Sequence, residues 1–447
     1  MTLLTIGEFG RKLRARETSA LEATDECLAR IQQDNARLNA FILVMADEAR
    51  RQAREADAEL AAGRDRGPLH GVPISIKDLF DIAGTPTTAA SRVREGHVAT
   101  KDAPTITRLR HAGAVIVGKT NLHEFAFGTT NEDSAFGPTR NPRDPARSPG
   151  GSSGGSAASV AAGMALASLG TDTGCSIRVP AAACGIVGLK PALGEISTEG
   201  VVPLSHTLDH VGPLAQTVAD AWCVYHALLG RPAPRPLSAA ASANLRLGVL
   251  RAYFCDLLDD DVRARFESSL DALKRVGIHM SDRAIPSASS ISVTYRNISF
   301  SEAAAYHATT LETMPERYTA PVRERLLMAR KISADEYVRA LKDRETLQGE
   351  VDEALSGFDA LILPTLPIPA PPIGAIEMQV GPTKEPVRSL MLRLTQLFNL
   401  SGHPAISIPC GDTSEGMPCG LQLVGPRMQT DALLRVALGV ERVLRSG

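Results

Sequence analysis

The 447-residue chain is poor in several things that would assign it a partner. Aromatic residues are 4% of the total, too few for a base-stacking surface. Charge of one sign is missing too: 48 Lys and Arg face 50 Asp and Glu, a net charge of −2. No basic field points to nucleic acid and no acidic tail points elsewhere. Paired cysteines are absent. Cys27, Cys175, Cys184, Cys223, Cys255, Cys410 and Cys419 are scattered, odd in number and include no C-x-x-C. That fits reduced thiols in a cytoplasm better than a disulfide framework or a zinc site. The start, MTLLTIGEFGRKLRAR, has no sustained apolar segment, so no signal peptide is expected. The longest apolar stretch, Ala157 to Leu169, is interrupted by serines and a glycine and is too short to span a membrane. What remains is an ordinary globular composition, 44% apolar and 22% charged.

Periodicity organises the chain as strands alternating with helices, which implies an α/β layered fold. Apolar spacings of three and four predict helices over 5–35, 42–63, 103–112, 156–164, 217–230, 259–276, 297–314, 335–356 and 429–445. Alternating or continuous apolar runs predict strands over 71–78, 114–120, 165–172, 245–250, 360–365, 405–411 and 419–426. The Pro/Ala/Ser-rich segment 231–244 reads as a linker or surface crossing, and 367–375 as a loop.

Two short patterns are louder than their context allows. Gly113 to Thr120 matches G-x-x-x-x-G-K-[ST], but a phosphate cradle needs a loop between its glycines, and AVIV reads as a core strand. Gly151 to Gly155 matches the nucleophile elbow G-x-S-x-G, but the preceding NPRDPARSPG cannot be the strand that an elbow requires. A plain Gly/Ser linker fails as well, because the stretch runs straight into an Ala/Val-rich helix.

The segment from Gly150 to Ala182 is dense in glycines and small hydroxyls and contains no histidine. A hydroxyl is a weak nucleophile without a base. A neutral lysine is the remaining option, and burial lowers a lysine pKa. Lys77 suits this. On the strand GVPISIKD, Val72, Ile74 and Ile76 face one way and Pro73, Ser75 and Lys77 the other. A lysine at a strand end on the surface is the plainer reading of the same position.

At this point the chain resembles the amidase signature family. The resemblance rests on LNAFI (38–42), GVPISIKD (71–78), GKTNLHEFAFGTTNEDSAFGPTRNP (118–142), GGSSGGSAASVAAG (150–163), GTDTGCSIRVPAAACGIVGLKP (170–191), PAISIPCG (404–411) and GLQLVGP (420–426). It is densest over 70–215 and thin over 231–400. It implies one domain over 1–447 with a large mostly parallel or mixed sheet flanked by helices, and a variable substrate-side region at about 245–400. It also implies a Ser–cis-Ser–Lys triad of Ser176, Ser152 and Lys77, with a cis Gly151–Ser152 peptide. The backbone amides of Thr173, Gly174, Cys175 and Ser176 would form the oxyanion hole. Phe125, Phe127, Gly128 and Gly151 would bind substrate, with Leu79 and Phe80 as further candidates for an apolar pocket. Core packing explains the aromatic residues equally well. Ser153 reads as a supporting hydrogen bonder, Ser156 as packing or capping in the next helix, and Arg178 as holding the loop through a partner such as Asp172.

The implied activity is hydrolysis of a small amide, anilide, carbamate or ester in a cytoplasmic monomer or homodimer. No metal, cofactor, nucleic acid or membrane is expected. Two alternatives stay open: the glutamine-hydrolysing component of an aminoacyl-tRNA amidotransferase, and a silent scaffold homologue. Where the family usually has Gly-Gly-Ser, this chain has Gly174-Cys175-Ser176. The extra side chain is tolerated if Cys175 has a negative φ.

Overall fold

A computed structural model describes residues 4–231, 237–240 and 245–446. The linker reading of 231–244 therefore lies largely outside the described residues.

Thirteen strands occur among them: β1 (Phe41–Val44), β2 (Pro73–Lys77), β3 (Val115–Thr120), β4 (Ala167–Asp172), β5 (Val187–Lys190), β6 (His210–Ala215), β7 (Arg246–Leu250), β8 (His279–Arg283), β9 (Ala360–Pro364), β10 (Glu377–Val380), β11 (Thr383–Pro386), β12 (Ala405–Asp412) and β13 (Pro418–Val424). Eleven form one sheet in the order β1-β3-β2-β4-β6-β5-β12-β13-β9-β7-β8, while β10 and β11 pair as a separate hairpin. The expected mixed sheet is present. Its parallel pairs, β3–β2, β2–β4, β9–β7 and β7–β8, flank an antiparallel centre. Most of the strands are buried throughout, including all five residues of β2, as expected of strands covered on both faces.

The N-terminal third departs from its periodicity. The helix expected over 5–35 is two helices, Ile6–Arg14 and Ala20–Leu38. Arg16 turns left-handed at φ 59°, and capping boxes at Thr5/Glu8 and Ser19/Glu22 start each helix afresh. The helix expected over 42–63 begins as a strand: Phe41–Val44 pairs antiparallel with β3, and the helix runs over Ala46–Ala61. Four apolar residues carry too little helical signal to resist a sheet edge that offers them partners.

The phosphate-loop pattern is β3 itself. Lys119 is fully buried, its Nζ lies 2.7 Å from the Asp78 carboxylate, and it donates to Thr87 Oγ1 at 2.8 Å. No strand precedes Gly151, which removes the nucleophile elbow. No helix among the described residues is long and apolar enough to cross a membrane.

Three parallel strands set up the site. β3, β2 and β4 run in the same direction, so Thr120, Lys77 and Asp172 end on one rim. The helix Gly154–Ala161 packs across β4 and β2, bringing the residues just before it to that rim. Ligands in open α/β sheets gather at such carboxyl ends.

Candidate active site

Lys77 closes β2 and is fully buried, so the surface reading of this lysine is wrong. Alternation along the strand holds: Ser75 and Lys77 both turn toward the Gly154–Ala161 helix, where Ser75 Oγ meets Ser159 Oγ at 2.8 Å. Lys77 Nζ donates to Ser152 Oγ and to Thr171 Oγ1, each at 2.8 Å. Burial is the main cause that pulls its pKa from 10.5 down to about 7, against the opposing charges of Asp209 and Asp172.

The Gly151–Ser152 peptide is cis. Ser153, one residue on, ties two segments together: its amide donates to Ser176 O at 3.3 Å and its Oγ to Thr171 O at 3.2 Å. Ser156 sits inside the helix and bonds Thr120 Oγ1 at 2.9 Å. These are the supporting and packing positions expected for the two serines.

Ser176 lies in the turn between β4 and the helix Arg178–Cys184, and is 4% exposed. Its Oγ is 3.9 Å from Cys175 Sγ, and no hydrogen bond between Ser152 Oγ and Ser176 Oγ is found among the described residues. None is found either for the amides of Gly174, Cys175 and Ser176, which leaves them available to an oxyanion. Cys175 is not among the positive-φ residues, so its side chain sits on this loop without left-handed backbone. Burial pushes its thiol up to about 12, and Sγ rests 3.5 Å from Gly151 O. A thiol so held is inert.

Below the loop stands the Arg178–Asp172 ion pair, both side chains wholly buried. Arg178 donates to both carboxylate oxygens (2.9 and 3.1 Å), Thr395 O (2.9 Å), Gln422 Oε1 (2.7 Å) and Asn399 Oδ1 (2.6 Å). Burial alone would raise Asp172, but the guanidinium overrides it and holds the carboxyl far below its usual range. Asp172 in turn accepts the Ile177 amide at 3.0 Å, which fixes the turn that carries Ser176.

Comparison with known proteins shows the family. The Amidase family model matches residues 22–434. An amidase of Pseudomonas putida is 40% identical over 457 aligned residues, covering 99% of this chain and 96% of that one. One component of the glutamyl-tRNA(Gln) amidotransferase of Anaeromyxobacter sp. (strain K) is 40% identical over 482 aligned residues, with coverage of 99% and 96%. A crystal structure of an amidase superposes with a TM-score of 0.93 at 37% identity, over 98% of this chain and 99% of that one. The chain belongs to the amidase signature family.

Several neighbours of the site in this amidase-family hydrolase carried no signal in the sequence. Thr171, the second partner of Lys77, sits on β4 beside β2, and only the strand pairing brings it there. Asp209 accepts from Thr173 Oγ1 at 2.5 Å and from the Leu204 and Ser205 amides at 2.9 and 3.1 Å. Burial lifts its carboxyl to about 6. Tyr295, from the helix Ile291–Tyr306, lies against Gly174 so closely that a Cβ there would stand 2.5 Å from its hydroxyl. That contact requires glycine.

The four expected substrate contacts are placed as follows. Phe125 is buried against His307 and Tyr318, with ring centroids at 4.3 and 5.7 Å. Phe127 meets Phe300 edge-on at 4.9 Å, and the guanidinium groups of Arg325 and Arg388 stand over its ring. Gly128 makes room for the His123 ring, which would overlap a Cβ at 1.9 Å. Gly151 contributes the cis peptide and its carbonyl to Cys175. Leu79 and Phe80 are core residues, 1% and 0% exposed. A cavity of about 530 Å³, lined by Leu204, Glu302, Tyr306 and Tyr337 among others, lies beside the Asp209 loop and does not include Lys77, Ser152 or Ser176. Among the described residues, no group of three His, Cys, Asp or Glu side chains could hold a metal ion.

Proposed function

We propose that the chain is an amidohydrolase that cleaves the C–N bond of a small acyl amide, anilide or carbamate-type substrate through an acyl-enzyme on Ser176. The observation that carries this reading is the buried Lys77 amine, 2.8 Å from Ser152 Oγ and with a pKa of about 7. A neutral amine at that point is a base where a charged one is only a donor. Ser152 passes its proton to Lys77 Nζ and takes that of Ser176, whose Oγ bonds the substrate carbonyl carbon. This step needs Ser176 Oγ to turn toward Ser152 when substrate binds, as catalytic hydrogen bonds commonly tighten in the complex. The amides of Thr173, Gly174, Cys175 and Ser176 hold the resulting oxyanion, a contribution of about 2.7–4 kcal/mol per donor in other enzymes. The relay then runs backwards: Ser152 protonates the leaving nitrogen and the C–N bond breaks. Water adds to the acyl group, giving its proton to the same relay, and the acid leaves Ser176 free.

The 447 residues act as one domain in this reading, because the Ser176 loop is braced by Thr395, Asn399 and Gln422 from the far end of the chain. A second reading is the glutamine-hydrolysing component of an amidotransferase, favoured by the 40% identity to one such protein. The SIRVP motif, which lacks the glutamine that typically follows the arginine in that component, favours a stand-alone enzyme. A fluorophosphonate probe tests the main reading. Labelling of the parent at Ser176, with no label on Ser176→Ala, supports it, and an unlabelled parent with no amide turnover removes it. Glutamine hydrolysis that needs a second protein chain would move the assignment to the amidotransferase reading.

A further inference from the structure

The loop from Thr173 to Ser176 is strung between two carboxylates. At its far end Asp172 accepts the Ile177 and Arg178 amides at 3.0 and 3.3 Å. At its near end Asp209 accepts from Thr173 Oγ1 at 2.5 Å. The sheet explains the second contact. β4 and β6 are antiparallel with Asp172 opposite His210, so the residue after Asp172 meets the residue before His210. The Asp172 side chain turns to Arg178, while Thr171 and Thr173 on either side of it go to Lys77 and Asp209. One short run of chain therefore carries both the second partner of the lysine and the anchor of the loop.

Asp209 differs from Asp172 in what pairs with it. Asp172 has the Arg178 guanidinium. Asp209 has three neutral donors, Thr173 Oγ1 and the Leu204 and Ser205 amides, and no ion pair among the described residues. Burial raises its carboxyl to about 6 against the pull of these donors, so it is an anion at neutral pH. The titratable and charged groups around it come from several elements. Lys77 closes β2, Asp172 closes β4, and Cys175 lies in the loop. His210 follows Asp209 in β6, and burial keeps it uncharged. Glu302 holds Ser205 Oγ at 2.5 Å and Thr207 Oγ1 at 2.7 Å, His206 lies 3.4 Å from Glu302, and Arg344 donates to Thr207 O at 3.2 Å. Of these, Lys77 is the group whose charge acts on Asp209, and Asp209 is foremost among the charges acting on Lys77. The helix that supplies Glu302 to this loop also supplies Tyr295 to Gly174.

We infer that Asp209 is a positioning residue for the reaction: through its hydrogen bond from Thr173 it anchors the first residue of the oxyanion loop. This inference rests on the amidase reading above. A charged acceptor makes a shorter and stronger bond than a neutral one. An oxyanion donor is effective when it is held in place before the charge develops. The same carboxylate favours the protonated form of Lys77, so the pH profile reports on its charge separately from its bond.

The experiment measures kcat and KM against pH for a neutral amide in the parent, Thr173→Val, Thr173→Ser and Asp209→Asn. It also follows hydrogen exchange of the peptide spanning 173–176 by mass spectrometry. Thr173→Val lowers kcat by about 10- to 150-fold, the range for a hydrogen bond to a charged group, with KM little changed. It speeds exchange in the loop and leaves the acid limb in place, because the carboxylate remains. Thr173→Ser keeps a hydroxyl and recovers most of the loss. Asp209→Asn keeps the shape without the charge: kcat falls, and the acid limb moves to lower pH because Lys77 loses an anion that raises its pKa. Equal losses in Thr173→Val and Thr173→Ser, or a loss confined to KM, overturn the proposal. So does an Asp209→Asn enzyme with the parent's kcat and acid limb, and if that variant does not fold, the Thr173 pair decides. Faster loop exchange in Thr173→Val of a protein that neither labels nor hydrolyses amides sinks the amidase reading alone. A parent that labels and hydrolyses amides, with Thr173→Val indistinguishable from it in kcat and exchange, sinks this inference alone.

Discussion

In the proposed mechanism Lys77 decides the chemistry, because a single residue would serve as both the base and the source of the returning proton. Its folded pKa of about 7 lies below the unfolded 10.5, so the unfolded chain holds more protons between those values. Stability contributed by this residue therefore rises with pH across that window, and the penalty for its buried charge is full below about 7. Activity follows the same proton. For a neutral amide, kcat/KM is expected to fall on the acid side with an apparent pKa of about 7, and a profile flat down to about pH 5 would exclude Lys77 as the base. Lys77→Ala is expected to slow an amide far more than a matched ester, because an alkoxide leaves with less help than an amine. General acid–base assistance is worth about 10²–10⁴-fold per step, and the amide draws on it twice. Equal losses on amide and ester would remove the proton-return role. Cys175→Gly should keep fluorophosphonate labelling and shift kcat/KM modestly, since burial holds the thiol protonated and its sulfur meets Gly151 O and Ser176 Oγ. Complete loss of label would give the cysteine a direct part in the reaction.

Among the elements, the helix Arg178–Cys184 matters through its first residue. Arg178 joins that helix to β4 through Asp172, to β13 through Gln422 and to the segment 395–399. Arg178→Met leaves Asp172 buried without its cation, which costs about 3–5 kcal/mol when a buried pair is broken. Urea unfolding should show that loss, and a loss below about 1 kcal/mol would mean the pair is offset by other contacts. At this scale the sequence is legible where pattern and environment agree. GVPISIKD alternates as written, and its lysine shares a face with Ser75. Phe41–Val44 has helical spacing and forms a strand, because pairing with β3, a contact 74 residues or more away, outweighs the local pattern. β6 and β8 leave no trace in the periodicity for a related reason: HVGPLA and HMSDR have no clear alternation, and the sheet alone makes them strands.

For the whole molecule, the densest motifs at 70–215 take partners from outside their own span. β5 lies between β6 and β12, and Arg178 takes acceptors from Thr395, Asn399 and Gln422. A fragment ending at residue 231 would expose the β5 edge and lose those acceptors, so it should aggregate and take no fluorophosphonate label. A soluble, labelled fragment would show that the signature region folds alone. The sequence by itself determined the family, the α/β class and the identities of Lys77, Ser152 and Ser176 as candidates, because these lie in motifs whose spacing is written along the chain. Tertiary structure alone decided what surrounds them. Thr171, Asp209 and Tyr295 come from elements with no local signature, and the pKa of Lys77 is set by burial, which depends on what packs over a residue rather than on its neighbours in the chain.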